Sequence, residues 1–143
     1  MRTSLVQVSV LAISVTLAHA SDGVWTAGAG VWTNSASWSG GVIPGAGDSA
    51  SFLGSGGMVT LPAGFPFNLS SLLFNTNGVY GTWTLTGETN TLVAPAEVRV
   101  EGTTYTGLTT ISNVLTGTAG LTKTGTGILE LGASANLFSG PVK

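Results

Sequence analysis

The sequence has no cysteine and a single histidine, His19, in 143 residues. Without thiols there is no disulfide framework, no thiolate nucleophile and no cysteine-built zinc site. Charge is almost as scarce. Four Lys and Arg stand against six Asp and Glu, for 7% charged residues and a net charge of −2. So few cations form no phosphate-neutralising patch, which argues against nucleic acid as a partner. Helix signals are missing too. Beyond the first twenty residues no window sustains apolar positions at i, i+3 and i+4, and the 22 glycines interrupt every candidate. The chain is nonetheless not of the disordered type, because 43% of it is hydrophobic. Abundant Gly, Thr, Ser and Val with few charges is the composition of an exported β protein.

The one long apolar run lies at the start. Arg2 precedes it, Leu5 to Ala18 forms it, and Ala18-His19-Ala20 closes it with a small-x-small pattern. This reads as a secretory signal peptide over residues 1–20. The alternative, a membrane anchor, needs about 20 apolar residues, and this run is shorter and broken by Gln7, Ser9, Ser14 and Thr16. No membrane span is expected in the mature chain. Removal of the leader takes His19 with it, and with it the commonest general base. Serine and threonine are plentiful, but without histidine no catalytic triad forms.

After residue 20 short strand candidates recur about every ten residues, with Gly, Asn, Pro or Ser between them. They fall at 24–26, 31–33, 49–53, 58–61, 71–74, 82–86, 91–93, 97–100, 108–111 and 113–115. Alternation puts Leu72 with Phe74, Trp83 with Leu85, and Val98 with Val100 on inner faces. Residues 27–30 read as a hairpin or tight corner, and Asn77-Gly78 as a hairpin turn. Such spacing fits a sandwich, a barrel or a β-solenoid. Very short strands and the scarcity of hairpin dipeptides favour the solenoid, in which stacked Thr, Val and Asn lie about 4.8 Å apart. The fold expected is all-β, a right-handed parallel β-helix with an N-terminal Trp-rich cap; the alternative is a β-sandwich. At about 20 to 25 residues per coil it holds roughly five turns.

Trp25, Trp32 and Trp38 fall close together ahead of Pro44, Gly45 and Gly47. They are candidate glycan contacts, since exposed indoles stack on sugar rings. The competing reading is a plug of bulky side chains over the open end of the stack, as terminal repeats require. The organisation read from the chain is therefore 1–20 signal peptide, 21–53 Trp-rich capping segment and 54–143 β-solenoid.

The clearest unit comes late. Gly120-Leu121-x-Lys123-x-Gly125-x-Gly127-x-Leu129-x-Leu131, followed by Asn136-x-Phe138-x-Gly140, is two short strands around a glycine corner. It resembles the autotransporter-associated β-strand repeat found in passenger regions of bacterial autotransporters. Residues 38–48, Trp-x-Ser-Gly-Gly-Val-Ile-Pro-Gly-Ala-Gly-Asp, are similar to the segment that often precedes such repeats. The resemblance implies the right-handed parallel β-helix, export by the general secretory route, and surface display or release with adhesive roles. It carries over no catalytic residue. It also implies a longer passenger ending in a translocating barrel, so the chain is expected to be a fragment or a short relative. The protein is then secreted or at the cell surface, or periplasmic if no barrel exists.

Enzyme chemistry finds little support. Glu97 and Glu101 share a strand face with Arg99, but their side chains lie about 13 Å apart at strand spacing, too far for a glycosidase pair. Arg99 there balances charge on a solvated face. Asp48 follows a Gly-rich turn that lacks the further ligands of a calcium loop, and reads as an Asx turn. Gly125-x-Gly127 lacks the third glycine and the helix of a phosphate cradle. Lys123 reads as a solvated edge charge. No catalytic, cofactor or metal site is expected. The function expected is a non-catalytic display protein of the autotransporter-passenger type, with surface glycans or other cell-surface molecules as partners. The alternatives are a fragment of a polysaccharide-degrading β-helix enzyme and a carbohydrate-binding β-sandwich module.

Overall fold

The computed structural model describes residues 21–63, 65–92, 96–103 and 106–143. The leader expected at 1–20 lies outside them. The described residues form fourteen strands: β1 (Gly23–Trp25), β2 (Ala29–Val31), β3 (Ser49–Phe52), β4 (Gly54–Leu61), β5 (Pro66–Phe67), β6 (Ser71–Phe74), β7 (Tyr80–Gly87), β8 (Asn90–Leu92), β9 (Ala96–Val100), β10 (Leu108–Ile111), β11 (Leu115–Gly117), β12 (Leu121–Thr124), β13 (Ile128–Leu131) and β14 (Leu137–Phe138). Two 3-10 turns, Ser35–Ser37 and Ser39–Gly41, interrupt the series.

The strands sort into three sheets with spatial orders β1-β3-β6-β9-β12, β2-β4-β7-β10-β13 and β5-β8-β11-β14. Every strand pairing is parallel. The chain visits the sheets in fixed rotation, so it is a β-solenoid. Four complete three-strand coils follow an opening rung of β1 and β2, where roughly five turns were expected. Stacked partners are 22 residues apart at Ser49 and Ser71, 25 at Thr91 and Thr116, and 20 at Thr110 and Glu130. The β-sandwich alternative is corrected by this pairing, since sandwiches are built from antiparallel neighbours. Of the two readings of 27–30 the tight corner is the one present, and the hairpin turn read at Asn77-Gly78 is a corner as well: β1 and β2, like β6 and β7, belong to different sheets.

Alternation along each strand fills the core. In the first sheet Trp25, Phe52, Phe74 and Val100 stack in one inward column, with the rings of Phe52 and Phe74 parallel at 4.7 Å. In the second sheet Val59, Leu85, Ile111 and Leu131 form another. Beside it Trp83 lies between Gly57 and Thr109, so a large side chain is flanked by small ones. This is why the coil tolerates a tryptophan inside without splaying the rungs.

Asparagine serves the corners, though not as the stacked ladder of like side chains that such coils allow. Asn75 adopts a left-handed backbone, φ 61°, and is fully buried. Its Oδ1 accepts from the Gly81 N–H (3.0 Å) and the Trp83 indole (3.1 Å). Its Nδ2 donates to the carbonyls of Gly81 (3.1 Å) and Glu101 (3.3 Å), the latter one coil on. All four hydrogen-bonding positions of the amide are used. Replacing Asn75 by Gly keeps the backbone conformation and leaves those partners orphaned at about 1–3 kcal/mol for each that water cannot reach. Urea unfolding of Asn75→Gly is expected to show a loss of about 2–4 kcal/mol. A change below about 0.5 kcal/mol would mean that the amide is dispensable.

Candidate functional site

The three candidate tryptophans come together at the start of the solenoid, where two conformational features place them. Trp25 ends β1 with its side chain inward. Trp32 follows β2, and Trp38 sits between the two 3-10 turns, whose first is capped by the Asn34 side chain accepting from Ala36 N–H (3.1 Å). In the opening rung this looped segment takes the place of a third strand. It also covers the free edge of β1: Trp25 and Trp38 bridge antiparallel, and Thr26 N–H donates to the Ser37 carbonyl at 2.9 Å. An uncovered first strand would template foreign pairing.

The indoles themselves are inside. Trp25, Trp32 and Trp38 are 1%, 0% and 2% exposed. Trp38 packs edge-on against Trp25 at 5.0 Å and 86°, and against Trp32 at 4.8 Å and 70°. Phe52 stands 6.0–6.2 Å from all three rings. Edge-to-face geometry is the arrangement that ring quadrupoles favour. The Trp38 indole donates to the Trp32 carbonyl at 2.7 Å. No face of these rings is turned to solvent for a sugar to stack on. The three rings pack into the core of the opening rung.

The acidic candidates are dispersed. Glu101 is bound by Arg99, whose Nε donates to Oε1 at 2.7 Å. That bond, with the guanidinium charge and Thr126, holds the Glu101 carboxyl below the usual carboxylate range. A lowered value means that the pair contributes above the unfolded-state pKa and is lost as pH falls through the folded one. Glu97 instead accepts from Thr124 Oγ1 at 2.6 Å, one coil on. The two carboxylates thus have separate partners. Asp48 does not make the Asx turn expected of it: its Oδ2 accepts from the N–H of Gly45, three residues back, at 2.7 Å, closing the preceding turn instead of bonding two residues on. Among the described residues no group of three or more acidic or histidine side chains converges as a metal ligand set. No pocket opens among them either.

Lys123 differs from expectation. Leu121 is buried, and alternation therefore turns Lys123 to the inner face as well, in register with Val98. On this last coil it is half-buried, and its Nζ donates to the carbonyls of Thr124 (3.2 Å) and Gly125 (2.8 Å). The strand parity that reveals this was legible; the lysine's charge argued the other way.

No family model and no solved structure matches the chain. Among curated proteins it is similar to the adhesin BmaC autotransporter of Brucella suis biovar 1 (strain 1330), with 40% identity over 144 residues. That match takes in 87% of this chain and 4% of the adhesin, so the chain spans a small fraction of its relative. The resemblance to autotransporter passengers therefore holds, and it reaches well beyond residues 120–140. With the solenoid fold, it makes this chain an autotransporter-like, adhesin-like sequence.

Proposed function

We propose that this homologue of an adhesin segment is a non-catalytic stretch of passenger that carries adhesive outer faces away from the bacterial surface. The observation that supports this most is the coil itself: interior columns filled by Phe, Trp, Leu, Val and Ile leave most of the chain's polar side chains on the outside of a rod, apart from buried corner and core residues such as Asn75 and Asp48. A rod of stacked coils projects contacts at a distance, and each coil rests only on its neighbours. The partners proposed are glycans or other molecules of a target cell surface. The outer faces offer Thr and Ser hydroxyls with exposed apolar side chains such as Met58 and Tyr80 between them. Export through the general secretory route, with release or display at the surface, completes the proposal.

Beads coated with the purified protein test it. They are expected to adhere to cultured epithelial cells several-fold more than albumin-coated beads, and soluble protein is expected to compete. Adherence equal to albumin, from protein whose circular dichroism shows intact β structure, would remove the adhesive role.

A further inference from the structure

The start of the described chain is tied to one buried carboxylate. Asp48 is 6% exposed and lies at the head of β3, just after the turn 44–47. Its Oδ2 takes the Gly45 N–H, and its Oδ1 takes the backbone nitrogen of Ser21 at 2.8 Å. The next residue repeats the attachment: Asp22 Oδ1 accepts from Ser49 N–H at 2.8 Å. Both first residues of the opening rung are thereby held to the first full coil. No cationic side chain answers Asp48; among the described residues the one ion pair is Arg99 with Glu101. A buried carboxylate served only by neutral donors is costly.

The sequence supplies a cation at this point. Ala18-His19-Ala20 is the pattern after which leader peptides are cut, and the next nitrogen is that of Ser21. We propose that removal of residues 1–20 converts the Ser21 nitrogen into an α-ammonium group that Asp48 holds, so that export processing itself supplies the missing counter-ion and locks the opening rung. Hydrolysis of the Ala20–Ser21 peptide bond consumes one water. The Ala20 acyl group leaves as a carboxylate, and the freed amine takes up a proton. The donor is already at hydrogen-bond distance, so processing adds charge with no rearrangement of the rung. The inference rests on the export-signal reading of residues 1–20 and is independent of the adhesive role.

The group that faces the new terminus is Asp48, whose Oδ1 takes the Ser21 nitrogen, while the neighbouring Asp22 carboxylate engages the Ser49 N–H; the carboxylate of Asp48 favours the protonated amine. The amine's pKa is expected to rise above the ordinary α-amino value of about 7.7–8.0, because the Asp48 carboxylate favours the charged form. The stabilisation is then complete below the ordinary value and disappears as pH rises through the raised one.

The chain is expressed with its leader in an exporting bacterium, and the terminus of the recovered protein is read by mass spectrometry. Ser21 is expected; any other first residue overturns the processing step. The lock is measured separately on the exported protein. Acetylating its α-amine selectively, at mildly acidic pH, removes the charge and keeps an N–H donor in place. Acetylation is expected to lower the urea midpoint at pH 6.5, and to lower it far less in Asp48→Asn. Titration of the Ser21 amine by NMR in the unaltered protein gives a second readout that needs no variant. An equal acetylation effect in both proteins, or an amine titrating at its ordinary value, overturns the lock.

Discussion

Replacing Phe52 by alanine is expected to lower the free energy of unfolding by about 3–5 kcal/mol, the range for truncating a buried aromatic side chain. Phe52 is fully buried and is the ring on which two parts of the core meet. It touches the three tryptophans of the plug on one side. On the other it stacks on Phe74 and lies 5.5 Å from Trp83. A cavity there cannot be filled by one neighbour without uncovering another, because the inward columns are fixed in register by backbone pairing. Domains of this size are stable by only about 5–15 kcal/mol, so the loss is a large part of the whole. All four tryptophans are buried, so their fluorescence reports the transition directly. In a stack of coils the plug and the later rungs can also uncouple, which would appear as a broadened or two-step urea curve in Phe52→Ala. A shift below about 1 kcal/mol would mean that the aromatic core repacks around the gap.

Gly81→Ala is expected to cost more than about 3 kcal/mol, beyond ordinary overpacking, and to leave little folded protein. Its backbone φ is one that alanine adopts, so the effect is one of space alone. A Cβ there would lie 2.1 Å from the Gly56 nitrogen and 2.2 Å from the Ser55 carbonyl carbon. Both are backbone atoms of β4, which is held between β2 and β7 and cannot retreat from one without losing the other. The same residue exchanges two hydrogen bonds with the Asn75 side chain, so a shift of β7 also opens that corner. Gly28→Ala is the matched control, because nothing lies within 4 Å of its Cβ and its φ is unstrained. It is expected to stay within about 0.5 kcal/mol of the parent. Thermal and urea unfolding of the two variants side by side check the contrast. Equal behaviour of Gly81→Ala and Gly28→Ala would refute the close approach of β7 to β4.

Much of the fold was legible in local pattern. Strands with clean alternation were placed closely, as at Ser71–Phe74 and Leu108–Ile111. The inward residues of those strands and of β7 and β9 are the buried ones. β5 and β14 were not placed. Each is two residues long, too short to carry a period, and each is a strand only because a neighbouring coil pairs with it. β4 runs from Gly54, earlier than its apolar residues indicate, because pairing with Tyr80 and Thr82 of β7 extends it through a glycine-rich stretch. The tryptophans were recognised as a unit, and both a plug and a binding platform were compatible with their spacing. Their burial was not legible in that spacing. The attachment of Ser21 and Asp22 to residues 48 and 49 left no local trace, since the bonds span 27 residues.

The sequence by itself determined that the chain is β-rich, that it has no cysteine and a single histidine, His19, which side of each longer strand faces inward, and which family it resembles. These follow from composition, from a period of two, and from a glycine-spaced repeat, all of which are local. The tertiary structure decided that the strands wind as parallel coils rather than folding back as hairpins. It decided that Lys123 faces inward, and that the indoles are buried in the opening rung. Alternation is the same in a hairpin and in a coil. What distinguishes them is which distant backbone accepts each N–H, and that is settled only when the rungs stack.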